Sequence, residues 1–114
     1  SICESLSKNT NLKFQLKWPN DVLFKNKKIA GILIETKQID SKLIFIIGIG
    51  ININEKKTDF PNELKNVATS LKIISNNNFS KEKILFSLLN QIKINTKNIN
   101  FIHFPCFHVC CECF

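Results

Sequence analysis

Arginine, methionine and tyrosine are absent from this 114-residue chain, and glycine and proline occur three times each. Without methionine, residue 1 is not a translation start, and the chain is expected to begin inside a longer protein. No signal-peptide pattern opens it, because Glu4 and Lys8 interrupt the first apolar stretch. Without arginine, all 16 basic residues are lysines. With abundant Asn and Ile, this reads as the habit of an AT-rich genome. The net charge of +7 therefore argues little for a nucleic-acid or polyphosphate partner, and no nucleic acid is indicated. No apolar run reaches the roughly 18–20 residues that span a bilayer, so no membrane is implied. The longest run, Leu43 to Ile51, is interrupted by Gly48 and Gly50 and reads as a buried strand. Cysteine is nearly missing from the first hundred residues, where only Cys3 occurs. That excludes a disulfide framework spread through a secreted fold, and the main body reads as cytoplasmic.

What remains suffices for one small domain. Ile2 and Leu6 stand at helical spacing before Asn9-Thr10-Asn11, which break the helix. Leu12 to Trp18 alternates apolar and polar residues, as a half-buried strand does. Pro19-Asn20-Asp21 then interrupts the ladder. Val22-Leu23-Phe24 restarts a strand, and Lys25-Asn26-Lys27 is a hairpin turn with Asn26 at its tip. Lys28 to Thr36 is the returning strand, Asp40-Ser41 a second turn, and Lys42 to Asn54 a long β-branched strand. Short turns between these strands imply an antiparallel meander. Glu63 to Ile74 is expected to form a short helix carrying Leu64, Val67 and Leu71. Ser80 is a predicted N-cap, and Ile84, Leu85, Leu88, Leu89 and Ile92 give residues 81–95 an apolar face.

After Asn100 the composition changes. His103, Cys106, His108, Cys110, Cys111 and Cys113 are zinc-ligand types, but they lack the paired C-x₂-C knuckles of a structural site. Residues 101–114 read instead as a frameshifted or non-homologous Cys/Phe-rich end, separate from a domain at 1–100.

Three segments carry chemistry. Lys17-Trp18-Pro19-Asn20-Asp21 presents an amide and a carboxylate at a strand exit, where hard oxygen ligands suit Mg²⁺ and a nucleotide; the same residues are also ordinary turn chemistry. Lys28-Ile29-Ala30-Gly31-Ile32-Leu33-Ile34-Glu35 places an ammonium at the mouth of an apolar strand, with Gly31 inside it. A glycine within a strand marks close approach of a ligand or of another backbone, whereas Lys28 alone could equally be a solvated turn residue. Strict alternation would put Lys28 on the face of Ala30 and Ile32, opposite Gly31 and Leu33. Gly48-Ile49-Gly50-Ile51-Asn52-Ile53-Asn54 is not a dinucleotide fingerprint, because the third glycine and the following helix are missing. It leaves a bulge or a ligand contact open.

In this order and spacing, the three segments resemble the biotin–protein ligase family, and Ala68-Thr69-Ser70-Leu71 matches a further family segment. The resemblance covers about residues 1–95. It implies an α+β fold with a mixed, largely antiparallel sheet and flanking helices, related to class II aminoacyl-tRNA synthetases and incomplete here. It implies ATP-dependent activation of biotin to biotinyl-adenylate, with Mg²⁺, and transfer to a lysine of a biotin carboxyl carrier protein. By the same matching, Lys28 is the catalytic lysine that touches the biotin carboxylate and the α-phosphate. Gly31 and Leu33 line the biotin pocket with it. Asn20, Asp21 and Asn52 serve ATP, and Asp21 the Mg²⁺. The family's Gly/Arg-rich loop is not in a chain without arginine, so the chain alone is expected to be inactive. A lipoate–protein ligase, or a non-catalytic remnant or binding module, are the alternatives.

Overall fold

Two tight turns organise the sheet. At both Lys25-Asn26 (φ 46° and 65°) and Asp40-Ser41 (φ 47° and 66°), the two central residues are left-handed. That is the geometry of a two-residue hairpin whose twist matches its strands. The expected three-residue turn is thus shorter, and Lys27 already belongs to the returning strand. The computed structural model describes residues 1–96, and the expectations for the end at 101–114 lie outside the described residues. Strands β1 (Gln15–Lys17), β2 (Asp21–Phe24), β3 (Lys27–Ile39) and β4 (Lys42–Ile51) follow one another in spatial order, each antiparallel to the next. Among the described residues, the sheet is mixed only through a single parallel bridge between Lys28 and Ala68.

Strand β3 is irregular at one place. Val22 faces Ala30, but Leu23 faces Lys28. One residue of β3 is therefore extra, which defines a β-bulge. Ile29 and Ala30 are both fully buried in the core with Val22. Two consecutive side chains thus point the same way, and the alternation is reset between Lys28 and Ala30.

Helix α1 (Ile2–Thr10) is capped by Ser1 and ended by Asn11 in the left-handed region. Helix α3 (Lys81–Asn95) starts at Ser80, whose hydroxyl accepts from Lys83 N–H. Both helices pack on the face of the sheet that carries Val22, Ala30 and Ile51, with Leu6 and Leu88 nearly or fully buried. A polar seam joins them: Ser5 Oγ donates to Ser87 Oγ at 2.9 Å, and Lys8 Nζ to Gln91 Oε1 at 3.0 Å. No helix among the described residues is long and apolar enough to cross a membrane.

Three expectations need correction. The helix over Glu63 to Ile74 is not formed. Residues 62–67 are turns, Ala68 bridges to β3, and only Leu71–Ser75 (α2) is helical, capped by Ser70. The backbone groups of Val67 and Thr69 bond Lys28 and so leave the helical ladder, a tertiary override of local propensity. The first strand is only Gln15–Lys17 and fully exposed. The run Leu43 to Ile51 is not a buried strand: residues 33–48 are exposed on both faces, Phe45 by 56%, and burial returns only towards Ile51. The packed helices reach only the inner half of the β3–β4 hairpin.

Candidate active site

Residues that face each other on neighbouring strands project to the same side of a sheet. Asp21 faces Gly31, Gly31 faces Gly50, Leu33 faces Gly48, and Leu23 faces Lys28. All three glycines of the chain therefore lie together on one face, with Lys28 and Asp21 at its edge. The core fills the other face. The correction to strict alternation follows directly. Lys28 does not share a face with Ala30, because the bulge at Ile29 turns it to the side of Gly31 and Leu33. The ion pair shows this independently, since Lys28 Nζ lies 2.9 Å from Asp21 Oδ1, each side chain 29% exposed.

None of the glycines has a positive φ, so no turn or strained backbone requires glycine there. A Cβ at Gly48 would meet only Leu33 Cβ at 3.7 Å and Leu33 O at 3.8 Å, ordinary contacts. The protein's own packing therefore does not demand glycine at 48. A face where three glycines carry no side chain, edged by Leu33, Asp21 and an ammonium, suits a flat ligand with an anionic end.

The segment after the turns straps this floor in place. Lys28 N–H donates to Val67 O and Thr69 N–H to Lys28 O, both at 2.8 Å. Asn52 N–H donates to Ile29 O, and Leu71 N–H to Asn52 O. Asn52 Nδ2 donates to Thr69 O at 3.1 Å, and Ser70 Oγ to Glu55 O at 2.6 Å. The strap ties the start of β3 to the end of β4. Asn52 is fully buried, and its Oδ1 has no hydrogen-bond partner. A buried acceptor left unpaired is costly.

The structure thus brings Lys28, Asp21, Gly31 and Leu33 to one face. Leu33 is 60% exposed there. Asn20 is exposed in the turn before β2, where its carbonyl accepts Ile32 N–H at 2.9 Å. The Trp18–Pro19 bond in that turn is cis. Asn52 is buried and bonded to Thr69 of the strap, whereas Asn20 is exposed. No cluster of three or more metal-ligating side chains occurs among the described residues. Asp21 is a lone carboxylate, which fits Mg²⁺ held chiefly through substrate phosphates. Sequence reasoning missed the strap and the pairing of Asp21 with Lys28. Ser70 as an N-cap before Leu71 was the available signal for the strap's end. No local pattern announces the ion pair.

The model of the biotin/lipoate A/B protein ligase family matches residues 1–54. The chain is 36% identical over 90 residues to the bifunctional ligase/repressor BirA of Bacillus spizizenii. It is 35% identical over 88 residues to the biotin–[acetyl-CoA-carboxylase] ligase of Mycobacterium tuberculosis. These alignments take in 78% and 75% of this chain but only 28% and 30% of the relatives. Among solved structures, the apo biotin protein ligase of Aquifex aeolicus superposes with a TM-score of 0.74 at 40% identity, covering 84% of this chain and 41% of that one. The same Aquifex protein in complex with biotin and ATP gives 0.70 at 38% identity, covering 84% of this chain and 39% of that one. The chain belongs to the biotin/lipoate protein ligase family. Within that family its likeness is to the biotin protein ligases.

Proposed function

We propose that this segment forms part of the adenylation site of a biotin–protein ligase. Biotin's carboxylate oxygen attacks the α-phosphorus of ATP, the bond to the β-phosphate bridging oxygen breaks, and pyrophosphate leaves. The biotinyl group of the adenylate then passes to a lysine amine of a biotin carboxyl carrier protein, releasing AMP. Lys28 stabilises the crowded anionic centre, as preorganised cations do at developing charge. Gly31 and Leu33 line the biotin site beside it. Asn20, Asp21 and Asn52 serve ATP, with Asp21 as a ligand of its Mg²⁺. The fold is of the class II aminoacyl-tRNA synthetase kind, and the setting is the cytoplasm.

One observation carries this reading. The bulge at Ile29 turns Lys28 onto the glycine face, where an ammonium and a flat floor serve one ligand together. A Bacillus ligase/repressor, a mycobacterial biotin ligase and an Aquifex structure holding biotin and ATP supply the chemistry by likeness. The test is pyrophosphate release from ATP by a full-length ligase carrying residues 1–96 of this chain. Release that depends on biotin is expected. Release driven equally by lipoate, or none from a folded protein, overturns the reading.

A further inference from the structure

Lys28 is not free. Its ammonium lies 2.9 Å from Asp21 Oδ1, and both side chains are less than a third exposed. An exposed ion pair is worth little, because two long side chains must be held still in water. Here much of that ordering is already imposed. The Lys28 backbone is fixed on both sides by Val67 and Thr69. Asp21 is anchored at the start of β2, opposite Gly31. The bulge sets the direction in which the lysine leaves the strand. A lysine stem has four rotatable bonds, and unrestrained its ammonium would sample a wide volume.

We propose that Asp21 is a positioning residue for Lys28, holding its ammonium at the edge of the glycine floor before any ligand arrives. The proposal rests on the reading of Lys28 as the charge-stabilising lysine, and it gives Asp21 a role that does not depend on metal. One carboxylate oxygen restrains the lysine, and an ammonium has three donors, so two remain to meet an anion. The geometry also sets the local charge. Lys28 and Asp21 together are neutral, so a first anion meets a directed donor rather than an unbalanced cation. A second anionic group then calls for a further cation, which fits a nucleotide arriving with a divalent metal. Preorganising a catalytic group removes an ordering cost from the reaction itself. Losing Asp21 should therefore weaken turnover more than binding.

Two measurements test this, and the first needs no ligand. In the 114-residue chain with ¹³C,¹⁵N-lysine, the two Hε protons of Lys28 should be inequivalent in the NMR spectrum, unlike those of exposed Lys25. Asp21→Asn should collapse that inequivalence while leaving the backbone amide spectrum folded, and Asp21→Glu should restore part of it. A Lys28 signal already averaged in the wild type, or unchanged by Asp21→Asn, overturns the proposal. The second uses a full-length ligase carrying this segment. Asp21→Asn should lower kcat for adenylate formation about 10–100-fold, a cost typical of small misplacement, with KM for biotin changed less than threefold. The split should persist when Mg²⁺ is raised to saturation. Recovery of kcat by added Mg²⁺ overturns the proposal in favour of Asp21 as a metal ligand alone. If Lys28→Ala is itself harmless, the reading of the site fails, whereas the NMR result still reports whether Asp21 orders Lys28.

Discussion

Lys28 and Gly31 stand on the same face of the sheet, although they lie three residues apart on one strand. In a regular strand that spacing puts side chains on opposite faces. The extra residue at Ile29 removes the conflict, because Val22 faces Ala30 while Leu23 faces Lys28. The price is a local break in the ladder, and the strap from Val67 to Thr69 bonds the Lys28 peptide groups there. Packing of Ile29, bonding by the strap and orientation of Lys28 are thus one arrangement.

The three neighbouring lysines should differ in effect. In a full-length ligase carrying the segment, Lys28→Ala should slow adenylate formation on the order of 10²–10³-fold, as loss of one preorganised charge-stabilising group does. Lys25 sits at the turn over the Phe24 ring, 5.6 Å from its centroid. Lys25→Ala and Lys27→Ala should change little, as surface substitutions do. Equal, small effects at all three positions would make Lys28 a turn lysine.

Gly48→Ala separates folding from ligand approach. The added methyl meets only ordinary contacts with Leu33, and φ is not positive. Urea unfolding should show stability equal to wild type or raised by up to about 1 kcal/mol, since glycine costs about that in unfolded-state entropy. Biotin affinity of the full-length ligase, read by calorimetry, should fall at least tenfold. Unchanged affinity would remove Gly48 from the ligand floor.

The bulge residue can be tested by truncation. Ile29 is fully buried, and Ile29→Ala should cost about 2–5 kcal/mol, the range for emptying a core site. Ile29→Val should cost about 0.5–1.5 kcal/mol and keep the Lys28–Asp21 pair. A loss below about 0.5 kcal/mol for the alanine variant would mean that Ile29 is not packed as described.

Asn52 is the buried end of the strap. Asn52→Ala removes the donor to Thr69 O and should cost about 1–3 kcal/mol, the penalty of an unsatisfied buried group. Asn52→Asp should be worse, because it loses the same donor and buries a charge. Chemical denaturation of both variants gives the order directly, and an aspartate variant as stable as wild type would contradict it.

Acid should weaken the start of α3. The Glu82 carboxyl is held below its ordinary value of 4.5, first by its own backbone N–H and then by the Ser80 hydroxyl. The folded value is below the unfolded one, so this contribution is present above the ordinary value and lost as pH falls through the folded one. Glu82→Gln should therefore flatten the dependence of Tm on pH below about 4.5, where wild type declines. Parallel curves for the two proteins would remove Glu82 from the acid response.

Much of this was legible without coordinates. Asn11, Asn26 and Asp40 stand at positive φ, as Asn and Asp tolerate, whereas Asn9 and Thr10, expected to break the helix, lie inside α1. Ser80 caps α3 as its position before an apolar helical face suggests. Lys28, Gly31 and Gly48-Ile49-Gly50 were found by order and spacing. Their common face was not, because a bulge is set by pairing with another strand and leaves no mark in the residues themselves. The region from Glu63 to Ile74 misled for a similar reason: its apolar spacing is helical, yet its backbone groups bond Lys28. The outer half of the β3–β4 hairpin reads as core by composition, but burial depends on what lies above it.

The strap has a kinetic consequence. The amides of Lys28, Thr69 and Leu71 bond between the strap and the two strands, and that of Asn52 joins the end of β4 to Ile29. They should exchange their hydrogens with deuterium as one cooperative group, with a single opening free energy. The exposed arm of β3 and β4 should exchange earlier and residue by residue. The part of the sheet that carries the lysine would then be the last to open, and the protein would keep its chemistry in its least yielding region.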